Sequence, residues 1–155
     1  LAYYQAEYPD QLSRNFALWE FLYSQKAEEA GIGNLPDEQI IGNIQYLVDH
    51  LLQPLRSLYG KPIQIVQQGG SGYRCPEVNA LVGGEPTSSH LFGLAADCHC
   101  EDAKALLVCL KSSGLTFDQA IYYDKRHGDF VHIGLKRVNN RRQVLIKTDN
   151  GYARG

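Results

Sequence analysis

The order in which two kinds of hydrophobic period follow one another is the strongest constraint on how these 155 residues can fold. Residues 18–30, LWEFLYSQKAEEA, have helical spacing and meet a stop at Gly31. Pro36 and Asp37 open a second helical run, in which Ile40, Ile44, Leu47, Val48, Leu51 and Leu55 recur at helical intervals until Gly60. Pro54 predicts a kink or a break in that run, because proline has no N–H to give and its ring crowds the preceding turn. From Lys61 onward the runs are short. Strands are predicted at 61–66, over GLAADCH (93–99), at 117–123, at 130–135 and over RQVLIK (142–147). Helices are predicted at Pro76–Leu81 and Asp102–Ser113, and 85–93 reads as loop. Helices followed by strands joined mostly through loops predict an α+β fold, with N-terminal helices on a small, mostly antiparallel sheet. One domain over 1–155 is expected, with an irregular Tyr-rich arm at 1–15 and a polar tail at 149–155.

Charge narrows the function classes. Fifteen Lys and Arg against 17 Asp and Glu leave a formal charge of −2, without the basic excess of a nucleic-acid binder. No apolar run approaches the ~20 residues of a membrane span. LAYYQAEYPD lacks the basic start of a signal peptide, and a first residue of Leu rather than Met leaves export open. The four cysteines, Cys75, Cys98, Cys100 and Cys109, form no CxxC pair, so a zinc ribbon or thioredoxin-type site is not expected. Cys98 and Cys100 share one strand face and read as small apolar side chains. Gly69, Gly70 and Gly72 are followed by no Lys-Ser/Thr, so they read as a sharp turn rather than a phosphate loop. The ten tyrosines suit either stacking on sugars or amphipathic packing.

Two of the five histidines and one aspartate have metal-ligand character. His90 lies in the loop SSHLFG, Asp97 seven residues later on the strand GLAAD, and His132 in the strand FVHIGL. Taken singly, such a histidine is more often a surface or core residue and such an aspartate a turn former. Taken together, two imidazoles and one carboxylate leave a fourth position for water, as a catalytic zinc site requires.

The surrounding text carries a resemblance. SGYR at 71–74, Ser88-Ser89-His90, six residues, Asp97, and Phe130-Val131-His132-Ile133 follow one another as in the zinc D-Ala-D-Ala carboxypeptidases. That family includes phage endolysin peptidases and D-Ala-D-Ala dipeptidases and has the hedgehog/DD-peptidase fold. NFALWEF at 15–21, SQKA at 24–27, LLQPLRSLYGKPIQI at 51–65 and NNRRQVL at 139–145 extend the resemblance over roughly residues 12–147. It implies a zinc metallopeptidase that cuts peptides of bacterial peptidoglycan, as a carboxypeptidase or an endolysin-type endopeptidase. His90, Asp97 and His132 would bind Zn2+. Arg74 would face the scissile bond, where a guanidinium suits a carboxylate or the charge developing on a carbonyl. Ser88 and Tyr73 would contact substrate. A periplasmic, extracellular or phage-delivered location follows rather than a cytoplasmic one.

The general base departs from the family pattern. Many relatives carry Glu three residues before the distal His, where this chain has Asp129. Others carry it two positions beyond the Ile of a DQ-x-I block, where this chain has Tyr123 followed by Asp124. Asp129 is taken as the base and Asp124 as the alternative. The missing methylene shifts a carboxylate by ~1.5 Å, and misplacement of that order costs about 100-fold. Asp129 and His132 also have opposite strand parity, so they converge only if Asp129 precedes the strand or sits at a bulge. His99 shares the parity of Asp97, His127 lies in a loop by the cleft, and His50 reads as structural or surface. Two rival readings remain: a non-catalytic zinc-stabilised module that binds cell wall or protein, and a structural component of a phage particle.

Overall fold

Alternation along each strand sorts apolar from ionisable side chains, and this sorting organises the molecule. A computed structural model describes residues 1–155. Six strands form one sheet: β1 (Ile63–Ile65), β2 (Ala95–Cys100), β3 (Gln119–Tyr123), β4 (Phe130–Gly134), β5 (Gln143–Thr148) and β6 (Gly151–Arg154). Their order is β1-β2-β4-β3-β5-β6, antiparallel throughout except for the parallel pair of β3 and β5. Ile63, Ile65, Ala96, Cys98, Cys100, Ala120, Val131 and Ile133 enter the core on one face. Asp97, Tyr123, Phe130 and His132 have the other parity and line a cavity on the opposite face. The fold is therefore α+β, as its order of patterns predicts.

The helices that cover the apolar face have identifiable starts. Asp37 caps α3 (Glu38–Leu47), its carboxylate accepting from Ile40 N at 2.8 Å. Asp102 does the same for α6 (Ala103–Ser112) through Ala105 N at 3.0 Å. The predicted break at Pro54 takes another form. The chain widens into one π turn, Val48–Leu52, in which Gln53 N–H donates to the Val48 carbonyl, and then continues as α4 (Gln53–Tyr59). Proline's missing donor and its clash with the previous turn are absorbed by that wider turn. Ile44, Leu47, Val48, Leu51, Leu52 and Leu55 are all fully buried along this continuous stretch, each worth about 1.5–3 kcal/mol by transfer from water.

Four sequence expectations are corrected. Residues 18–30 do not form one helix: a 3-10 turn (Leu18–Phe21) and α2 (Gln25–Glu29) are separated where the Ser24 hydroxyl accepts from Ala27 N and starts a new helix. The N-terminal arm contains a short helix, α1 (Ala2–Glu7), pinned by buried Tyr4, whose hydroxyl accepts from Asn34 N at 2.9 Å. Within the loop 85–93, Ser89–Phe92 is a 3-10 turn. The tail is strand β6, forming a hairpin with β5. No helix is long and apolar enough to cross a membrane. The remaining predicted helix is α5 (Pro76–Leu81).

The parallel pair depends on an ion pair at its entrance. Asp118 is buried, and Arg141 binds its carboxylate twice, Nε to Oδ1 at 3.0 Å and Nη2 to Oδ2 at 2.8 Å, while Gln143 N donates to the Asp118 carbonyl. Burial works to raise the Asp118 pKa, but the hydrogen bonds and charge of Arg141 outweigh it and hold the carboxyl below its ordinary value of 3.8. A carboxyl whose pKa is depressed by folding stabilises the protein above its unfolded pKa, and that contribution is lost as pH falls through the folded one. Asp118→Asn is expected to be less stable than the parent at neutral pH and to lose less stability between pH ~6 and ~3, measured by urea midpoints of metal-free protein.

Candidate metal centre

Strand register brings the first two side chains together. Asp97 on β2 and His132 on β4 are direct cross-strand partners and point to the same face. His132 Nδ1 lies 3.0 Å from Asp97 Oδ1. His90 arrives from the 3-10 turn, which Ser88 caps by accepting from His90 N at 3.2 Å. The His90 ring is buried, and its Nδ1 lies 2.7 Å from the Gly72 carbonyl oxygen. A carbonyl can only accept, so Nδ1 carries the proton and Nε2 keeps its lone pair. That Nε2 lies 3.2 Å from His132 Nδ1 and 3.3 Å from Asp97 Oδ1.

Three ligand atoms thus converge within 4.8 Å of one another. Electron pairs facing each other at these distances require a cation or a shared proton among them. Burial lowers the His90 pKa, which keeps its ring neutral and able to ligate. Burial also works to raise that of Asp97, but the electrostatic and hydrogen-bonding environment of the two imidazole rings packed against it outweighs burial and holds the carboxyl well below the usual range. Two imidazole nitrogens and one ionised carboxylate match the donor chemistry of a divalent transition metal and leave room for further ligands. His90 has the supporting partner such ligands normally carry, a carbonyl on its other nitrogen.

The cluster opens into a cavity of about 630 Å3. Arg74 lies on its wall, with Nε donating to the Gly70 carbonyl at 2.6 Å, Nη1 to Asn79 Oδ1 at 3.3 Å, and Nη2 3.8 Å from Asp97 Oδ2. A guanidinium has five N–H donors, so several remain for a ligand. Ser88 both caps the His90 turn and lines the cavity. Lys136, Arg141 and Asp118 stand at another part of the wall.

Two expected substrate-side residues lie elsewhere. Tyr73 is in the core, its backbone N–H donating to Phe21 O at 2.7 Å, and it does not line the cavity. Alternation in the extended segment turns Arg74 to the cavity and Tyr73 away from it. Asp129 precedes β4 in the left-handed region, φ 59°, and is also absent from the cavity lining. Its charge acts instead on Cys100 and Tyr122, which pack with the core. Asp124 belongs to a surface turn, accepting from His127 Nδ1 at 2.7 Å and Arg126 N at 3.1 Å.

Tyr123 and Tyr152 do line the cavity, though sequence reasoning gave neither a role. Tyr123 stacks on Phe130 at 4.3 Å, and its hydroxyl lies 3.3 Å from that of Tyr152. Burial, then the Tyr152 hydrogen bond, raises the Tyr123 pKa, so this phenol is a hydrogen-bond donor rather than a base. Tyr152 sits on β6, and no signal in the polar segment GYAR marks it as part of the cavity wall.

The sequence model of the family described as Peptidase M15 matches residues 14–134. The chain belongs to that family. The match takes in the SGYR segment and all three clustered ligand residues, so this M15 member carries the zinc D-Ala-D-Ala carboxypeptidase type of sequence that its motifs resemble. The family supports a hydrolase, and specifically a metallopeptidase. No curated protein matches the chain.

Gly72 is hemmed in by main chain beside the centre. A Cβ there would meet the Phe21 backbone, with Phe21 Cα 2.6 Å away. Gly72→Ala is expected to cost about 1–3 kcal/mol by overpacking and to weaken divalent-ion binding by displacing the carbonyl that orients His90. Denaturation and metal titration check the two effects separately. His90→Ala should fall from about one bound ion per chain to nearly none, because one of three protein donors is gone; elemental analysis of dialysed protein gives the number.

Proposed function

We propose that this M15 member is a zinc metallopeptidase of bacterial cell-wall stem peptides. The convergence of His90, Asp97 and His132 at the floor of a cavity walled by Arg74 carries this reading. Bound there, zinc supplies Lewis acidity toward a peptide carbonyl and lowers the pKa of water.

The side chains of the chain divide the remaining work. Arg74 presents its free N–H groups to a substrate carboxylate or to the carbonyl oxygen that gains charge. Tyr123, held protonated, offers a hydroxyl to the same developing charge. Ser88 keeps the His90 turn in place and adds a polar contact at the cavity wall. Both D-Ala-D-Ala carboxypeptidase and endopeptidase action fit this cavity. Either substrate lies outside the cytoplasmic membrane, so the reading entails export or delivery by a phage.

One observation favours a second reading, in which the zinc-stabilised module binds its peptide without cutting it. Among the carboxylates that line the cavity, Asp97 belongs to the ligand set and Asp118 to Arg141, and Glu85 alone has no partner within the protein. Glu85 is exposed at the rim.

Digestion of purified peptidoglycan by zinc-loaded protein, with mass analysis of products, separates the readings. Release of D-Ala identifies a carboxypeptidase and shortened stem peptides an endopeptidase, either one abolished by chelator. Full zinc occupancy with neither product selects the binding module. Arg74→Ala is expected to lower turnover by about 100-fold, the loss typical of one charge-stabilising donor, with zinc content unchanged. Asp129→Ala should leave both zinc and turnover nearly unchanged; a large loss of turnover would return Asp129 to the mechanism.

A further inference from the structure

A second cavity, about 510 Å3, lies beside the metal centre, within the ~300–1,000 Å3 range of small-molecule sites. Gln64 and His99 form part of its wall and are cross-strand partners on β1 and β2. His99 follows Asp97 by two residues and shares its face, so the two cavities are about 7 Å apart along one strand.

The chemistry of this groove is unusual for the molecule. Its aromatic wall is Trp19, the single tryptophan of the chain. Gln64, Gln67 and Gln68 line it, Gln67 half-buried and Gln64 and Gln68 exposed, and their side-chain amides make no hydrogen bond within the protein, which leaves all three open to a ligand. Several glutamines elsewhere are tied, Gln45 to the Leu12 carbonyl, Gln53 to Ser13, and Gln119 to Gln143. Glu20 spends one carboxylate oxygen on Ala17 N at 2.7 Å and keeps the other free. His99 donates Nδ1 to the Asp129 carbonyl at 2.8 Å and keeps Nε2 free. No Lys or Arg lines the groove.

A site without cations and with a free carboxylate oxygen does not suit phosphate, nucleic acid or an acidic peptide. Amides donate and accept at once, as hydroxyl and acetamido groups do. An indole beside them gives an apolar surface for the C–H face of a pyranose ring. We infer that this groove is a saccharide subsite, which binds N-acetylated sugar of the glycan strand while the attached stem peptide enters the metal cavity. The inference deepens the cell-wall reading and rests on it for the identity of the sugar.

Trp19 reports on the test directly, since tryptophan emission from the full chain has one source. A peptide-free N-acetylglucosamine tetramer is expected to shift that emission saturably. Gln64→Ala and Gln67→Ala, which keep the reporter, should each weaken binding by about tenfold, as loss of one to two hydrogen bonds does. Gln64→Ala should cut sugar-free stem peptide at the parental rate and intact peptidoglycan more slowly. No shift with the tetramer, parental affinity in both variants, or a shift from sugar-free stem peptide in place of the sugar would each overturn the inference. Failure of zinc-loaded protein to cut any wall peptide would overturn the peptidase reading while leaving the sugar titration intact, so the two failures are distinguishable.

Discussion

The hydrogen bond from His90 Nδ1 to the Gly72 carbonyl is the constraint on which the cluster depends. Its net contribution to stability is about 1 kcal/mol, yet its geometric effect is large. It fixes which ring nitrogen carries the proton, and so which one faces Asp97 and His132. The same loop is held from other directions as well. Asp97 N donates to Ser71 O at 2.7 Å, Arg74 N to His90 O at 3.0 Å, and Tyr73 N to Phe21 O. The segment 71–74 is thus stitched to β2, to the His90 turn and to the N-terminal region, and Gly72 is the residue that fits at the crossing point.

A two-residue period separates stability from chemistry in this sheet. Ala96, Cys98 and Cys100 on β2, with Val131 and Ile133 on β4, bind the sheet to the helices. The residues between them, Asp97, His99, Phe130 and His132, are left on the opposite face, where they build two cavities. Because the core needs one parity, the ionisable residues are forced into a shared plane. A register slip of one residue would bury Asp97 and His132 among the helices, so the apolar face also specifies the metal cluster.

What could be read from the sequence follows the same physics. The helix-then-strand order, the buried stripe from Ile44 to Leu55 and the three cluster residues rest on local periodicity and on spaced motifs. What was missed depends on contacts between distant segments or on single dihedral angles. Strand β6 has four residues, Gly151–Arg154, and owes its existence to pairing with β5 rather than to its own pattern. Asp129 stands at the spacing of a general base, but its positive φ and the parity of β4 leave it off the cavity wall. Tyr73 and Arg74 are neighbours in one motif and face opposite ways. The Pro54 kink became a π turn because the stripe on both sides of it binds one continuous core.

Under the proposed reading, the two cavities complement different ends of one substrate. In the metal cavity Arg141 is balanced by Asp118, which leaves Arg74 and Lys136, with any bound cation, against Asp97 and the exposed Glu85. That balance favours a ligand bearing carboxylates. The neighbouring groove has no Lys or Arg and three unpaired amides around an indole, a balance that favours a neutral, hydroxyl-rich ligand. A stem peptide joined to its sugar carries both chemistries in a fixed order. Reversing it would set carboxylates against the Glu20 carboxylate and a neutral ring against Arg74, exchanging attraction for like-charge repulsion. The direction in which substrate lies across the sheet is therefore set by electrostatic contrast between adjacent cavities, and the two-residue step from Asp97 to His99 is what holds those cavities in register.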